Sequence, residues 1–107
     1  MKIDKRELEK PIVKKADGTF ASLKQVLEGP VAAVARLSYD DHRDLAIARF
    51  EKVDPERAFF VVGKGSFTRD QILTEINRDT EAGKMFVRMQ ERFTRYLLNR
   101  KEEIDVS

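Results

Sequence analysis

Few residues in this chain are equipped for chemistry. The only histidine, His42, stands inside Asp40-Asp41-His42-Arg43-Asp44. Three carboxylates so close together could give oxygen ligands to a divalent cation. Arg43 lies inside that cluster, however, and the EF-hand spacing is absent. Zinc would need a Cys or a second His, and the chain has neither. The segment therefore reads as a solvated polar loop, and no metal is expected.

Gly63-Lys64-Gly65-Ser66 is the second candidate. Free backbone amides beside Lys64 could hold an anion. The spacing matches neither the Walker pattern nor the dinucleotide fingerprint, so a plain strand-to-helix turn is the simpler reading. Acyl transfer has little to work with, because Cys is absent, His occurs once and no Gly-x-Ser-x-Gly elbow occurs. The expectation is a non-enzymatic protein without a cofactor.

The third candidate is a row of cations near the C-terminus. Lys84, Arg88, Arg92 and Arg95 recur at spacings of four, four and three. That places them on one side of a helix. From 84 to 101 there are six positive residues and one negative, Glu91. Such a row beside an aromatic stripe could lie along phosphates or along an acidic partner. It could also be simply solvated, and Glu81 and Glu102 dilute the case for nucleic acid. Val87 and Leu98 fall off the main apolar stripe. They suggest a second contact surface, such as a helix–helix homodimer.

Composition sets the frame for these candidates. The chain has 107 residues, 41% of them hydrophobic, which suits one domain with one core. Charged residues make up 37%, yet 21 cations against 19 carboxylates leave a net of only +2. High charge of mixed sign describes a well-solvated surface, and the balance alone does not imply nucleic acid. Met1-Lys2-Ile3-Asp4-Lys5-Arg6 leads into no apolar h-region, so no secretory signal is expected. No apolar run exceeds five residues, Ala58 to Val62 among them, too short for a bilayer of ~30 Å. A cytoplasmic protein without membrane contact is the expectation.

The elements that must position the candidates can be read in turn. Residues 1–10 are charge-dense and Pro11 bars a helix from continuing, which predicts a flexible arm or one helical turn. Residues 11–107 form the single predicted domain. Asp17-Gly18 between Ile12-Val13 and Phe20 predicts a hairpin. Ser22-Leu23-Lys24-Gln25 has the form of a capping box, opening a short helix that Gly29-Pro30 stops.

Residues 31–53 follow neither period cleanly. Two strands joined by a polar loop are favoured, with a helix starting near Asp40 as the alternative. Asp54-Pro55 marks a turn, and Ala58 to Val62 reads as a buried central strand. Thr68-Arg69-Asp70-Gln71 is a second capping box, with Phe67 and Ile72 as its hydrophobic staple. From Thr80 to Glu103 a long amphipathic helix is predicted. Its core stripe would be Ala82, Phe86, Met89, Phe93, Tyr96, Leu97 and Ile104.

The fold expected is α+β: a small antiparallel sheet of four to five short strands, one short helix and two C-terminal helices. The function expected is protein–protein interaction through the last helix, with a homodimer as one form of it. Nucleic-acid binding on that helix's basic face is the alternative.

Overall fold

The computed structural model describes residues 2–104. The fold is α+β, as expected, with four strands. They form two separate two-stranded antiparallel sheets instead of one sheet. The first hairpin joins β1 (Pro11–Lys14) to β2 (Phe20–Ser22). Gly18 takes φ 90° at its turn, where a side chain would be strained. The outer edge of β1 is covered by the following segment: Val34 N donates to Lys14 O at 2.8 Å, and Ala16 N donates to Ala32 O at 3.0 Å.

Ahead of that hairpin, Asp4 caps a single helical turn, α1 (Lys5–Glu9). After it comes α2 (Leu23–Glu28), and both halves of the Ser22–Gln25 capping box are formed. Residues 39–50 correct the favoured reading of this region: they form a helix, α3 (Tyr39–Phe50), in place of a strand. Ser38 and Asp41 make a reciprocal capping box at its start. The sequence shows no clear apolar side because the one buried arc of this helix contains an arginine, while Ile47 and Ala48 lie outside that arc. Leu45, Ala46, Arg49 and Phe50 are all buried, while Ile47 and Ala48 are half-buried. A charged residue on the buried side and apolar ones off it blur the periodicity by which a helix would be recognised.

The second hairpin joins β3 (Ala58–Val61) to β4 (Gly65–Thr68). Phe59, Val61 and Phe67 turn one face of it onto the core. On the other face Phe60 is 75% exposed, so β3 is not the buried central strand expected. The Thr68–Gln71 capping box then opens α4 (Arg69–Asn77). A tight corner with Asp79 at φ 55° leads to α5 (Glu81–Asn99), capped by Thr80. The predicted helix to Glu103 stops at Asn99, and a 3-10 turn covers 101–103.

The single interior expected is divided into two apolar clusters. One gathers Ala46, Phe50, Ile72, Ile76, Phe86 and Val87. Its rings meet edge to face, Phe67 with Phe86 at 5.2 Å and Phe50 with Phe59 at 5.9 Å. Such pairs contribute roughly 0.5–1.5 kcal/mol each beyond burial. The other cluster gathers Ile12, Leu23, Leu97 and Ile104. The first half of α5 packs in one cluster and its last turns in the other.

Arg49 ties these parts together. It is 2% exposed. Its guanidinium pairs with the Glu7 carboxylate, donates to Pro11 O at 2.9 Å and to Gln90 Oε1 at 2.8 Å. One side chain thus links α1, β1, α3 and α5. A buried charge is tolerable only with partners of this kind.

Candidate interaction surface on the C-terminal helix

The buried side of α5 is not the one its composition suggests. The enclosed residues are Gly83, Phe86, Val87, Thr94 and Leu97. This side is rotated about a quarter turn from the predicted stripe, taking 3.6 residues per turn. Two contacts explain the rotation. A Cβ on Gly83 would stand 2.2 Å from the Glu75 carbonyl oxygen, so only glycine lets α5 approach the backbone of α4 there. Thr94 hides its hydroxyl by donating to Glu91 O at 3.0 Å. A glycine and a threonine therefore take core positions, and larger apolar residues turn outward.

Those residues are Met89, Phe93 and Tyr96, which are 46%, 41% and 45% exposed. They were expected to pack on the sheet. They form instead an apolar row on the outer side of α5, with Phe93 facing the second hairpin. A shallow groove of about 190 Å³ separates Phe93 from Phe59 of β3. The Arg57 guanidinium lines this groove, 5.0 Å from the Phe59 ring centre, and outside the groove that of Arg100 lies 4.6 Å from the Tyr96 ring centre. Arg49 lies 5.7 Å from the Phe93 ring centre.

The basic row faces another side of the same helix, and half of it is neutralised locally. Arg95 donates to Glu91 at 2.7 Å. Lys84 stands 4.0 Å from both Asp79 and Glu81. Arg88 and Arg92 are exposed and form no ion pair among the described residues. Two free guanidiniums, each able to grip a carboxylate with two parallel hydrogen bonds, remain; Arg92 lies next to the aromatic row, and Arg88 lies towards Tyr39 of α3.

The other predicted contact residues part company. Val87, expected on a second surface, is 1% exposed and belongs to the first core cluster. The tight approach at Gly83 turns it inward, so it offers nothing to a partner. Leu98 is half-buried and lines a different cleft, beside Arg95 and His42.

Gly63, Lys64, Gly65 and Ser66 lie at the tip and first residues of the β3–β4 hairpin, not at a strand-to-helix turn. No helix N-terminus follows directly to add its amides. Asp40 to Asp44 lies in the first turns of α3, not in a loop. There Asp41 accepts from Lys14 Nζ at 2.7 Å, and this bond, with that from the Ser38 amide, holds its carboxyl below the usual range. His42 Nε2 is 3.6 Å from Glu91. Among the described residues no group of three or more His, Cys, Asp or Glu side chains is placed to hold a metal ion. Nor is any described helix long and apolar enough to cross a membrane.

No protein-family model, no curated protein and no solved structure matches the chain. What the chain does must therefore be argued from its surface. The sequence could not reveal the groove between Phe59 and Phe93, because the two residues meet only through the fold. The outward turn of Met89, Phe93 and Tyr96 did leave one signal: Gly83 and Thr94 sit in a helix otherwise rich in large apolar side chains.

Proposed function

We propose that this chain is a protein-interaction domain whose α5 docks an acidic segment carrying apolar anchor residues. The observation that carries the proposal is the exposed row of Met89, Phe93 and Tyr96, with Arg100 over the Tyr96 ring and Arg92 next to the row on the helix surface. An apolar row rimmed by cations is complementary to an amphipathic helix with an acidic rim, the helix-in-groove mode of recognition. Aromatic and arginine side chains are also those enriched at binding hot spots.

The size of the row favours a short segment over a second copy of the chain. Its three side chains leave about 250 Å² accessible, taking roughly 200 Å² for a large side chain. A stable dimer needs about 800 Å² per partner. Self-packing along this row would also bring Arg92 and Arg100 of two copies together. The nucleic-acid reading is weakened by the pairing of Lys84 and Arg95. With two free arginines, the salt dependence on duplex DNA would have a log–log slope of about −1.8.

Amide-shift mapping by NMR tests the reading. The titrants are a synthetic amphipathic peptide with Glu on its polar side and Leu on its apolar side, then oligouridylate, then rising protein concentration. The reading expects the peptide to move Met89, Arg92, Phe93 and Tyr96, and Phe93→Ser to abolish the response. Saturation by oligouridylate at low salt, with no response to the peptide, would replace this reading by nucleic-acid binding.

A further inference from the structure

A second concavity lies elsewhere, between β1, residues 34–37, α3 and the last turns of α5. It encloses about 400 Å³. That volume falls in the range of small-molecule sites, roughly 300–1,000 Å³. Its apolar lining includes Ile12 and Val13 of β1, Leu45 of α3 and Leu98 of α5. Its ionic groups are Lys14, Arg36, Arg95 and a single carboxylate, Glu91.

The state of each charge decides what would fit. Lys14 is taken by Asp41 at 2.7 Å. Arg95 is taken by Glu91 at 2.7 Å, and Glu91 also faces His42 at 3.6 Å. Arg36 is exposed and has no ionic partner among the described residues. The cleft therefore offers one uncompensated guanidinium beside an apolar lining. Its only carboxylate is already engaged twice, which disfavours an amine.

We propose that this cleft binds a small monocarboxylic acid with an apolar body, of the short-alkyl or single-ring kind. The carboxylate pairs with Arg36 in a planar two-bond contact, and the apolar body lies against Val13 and Leu98. None of the residues used belongs to the row of Met89, Phe93 and Tyr96, so the two sites stand or fall separately.

The test titrates the full chain with octanoate, 1-octanol and octylamine, and follows backbone amides by NMR. Octanoate should give saturable shifts at Val13, Lys14, Arg36 and Leu98, while octylamine gives none. Arg36→Gln removes a charge-assisted contact at an exposed position, where folding is not at stake. It should weaken octanoate about tenfold or more. Any one of four results would overturn the proposal: no saturable shift, an equal response to the alcohol, undiminished binding by Arg36→Gln, or shifts centred on Phe93.

Discussion

Replacing Gly83 by Ala should destabilise this protein, against the direction of helix propensity. In an exposed helix interior the change stabilises by about 1 kcal/mol. Here the new Cβ would stand 2.2 Å from Glu75 O, 2.5 Å from Glu75 C and 2.8 Å from Ile76 N. All three are backbone atoms of α4, so no side chain can swing aside. The helices must part by about 1 Å, which loosens Phe86 and Val87 against Ile72 and Ile76. Overpacking of this kind costs roughly 1–3 kcal/mol, and a rigid obstacle puts the cost at the upper end. After the propensity gain the net loss is about 2 kcal/mol. At about 4–8 °C per kcal/mol for a domain near this size, the melting temperature should fall by about 8–16 °C. Thermal and urea unfolding followed by far-UV circular dichroism reads this directly. Gly29→Ala is the control, because a Cβ there meets nothing within 4 Å. It should stay within about 0.5 kcal/mol of wild type. A Gly83→Ala protein as stable as wild type would refute the close approach and, with it, the reason given for the rotation of α5.

Three further outcomes follow from the same packing. Phe86→Ala should cost about 3–5 kcal/mol and Phe93→Ala less than about 1 kcal/mol, because the first ring is buried and the second half-exposed. Equal costs in urea unfolding would contradict the orientation of α5. Glu7→Ala should cost about 3–5 kcal/mol, since it leaves the buried Arg49 charge uncompensated. A neutral result would show that α1 does not dock. Asp41 has a folded pKa below its unfolded value of about 3.9, chiefly through its bond from Lys14. Its contribution is therefore complete above about pH 4 and is lost as the pH falls through the lower folded value. Asp41→Asn should be less stable than wild type near neutrality, and in denaturant midpoints that deficit should shrink as the pH falls below the unfolded value.

Much of the fold was legible where local chemistry settles it. Ser22–Gln25 and Thr68–Gln71 form the capping boxes their spacing predicts, and Asp17-Gly18 turns a hairpin. These signals act within four residues and need no tertiary context. Residues 39–50 were harder, because the buried side of α3 includes Arg49 and its flanks carry Ile47 and Ala48, so polarity does not follow burial along the helix. The Ser38–Asp41 box was present as a signal but used Asp where Glu or Gln is usual. The second hairpin was missed because Gly63-Lys64-Gly65 reads equally as the end of a strand and as a turn between two.

The candidate surface was legible in element but not in side. The long C-terminal helix, its basic row and its aromatic content all follow from the sequence. Which side it buries was decided by Gly83 against α4 and by the self-satisfied hydroxyl of Thr94, whereas the periodicity followed the larger Phe and Met side chains. That substitution moved Val87 from a contact residue to a core residue. It also moved Met89, Phe93 and Tyr96 from the core to the surface.

The most direct measurement places a photo-reactive benzoylphenylalanine at Tyr96 of the full chain, crosslinks in cell extract, and sequences the captured peptide. Parallel samples carry it at Phe60, on the exposed side of the second hairpin, and at Asp17 in the first turn. Docking on α5 predicts adducts from position 96 alone, mapping to acidic segments with spaced apolar residues and lost on Arg92→Glu. Adducts with a second copy of this chain, with RNA, or from position 60 and not 96 would contradict it.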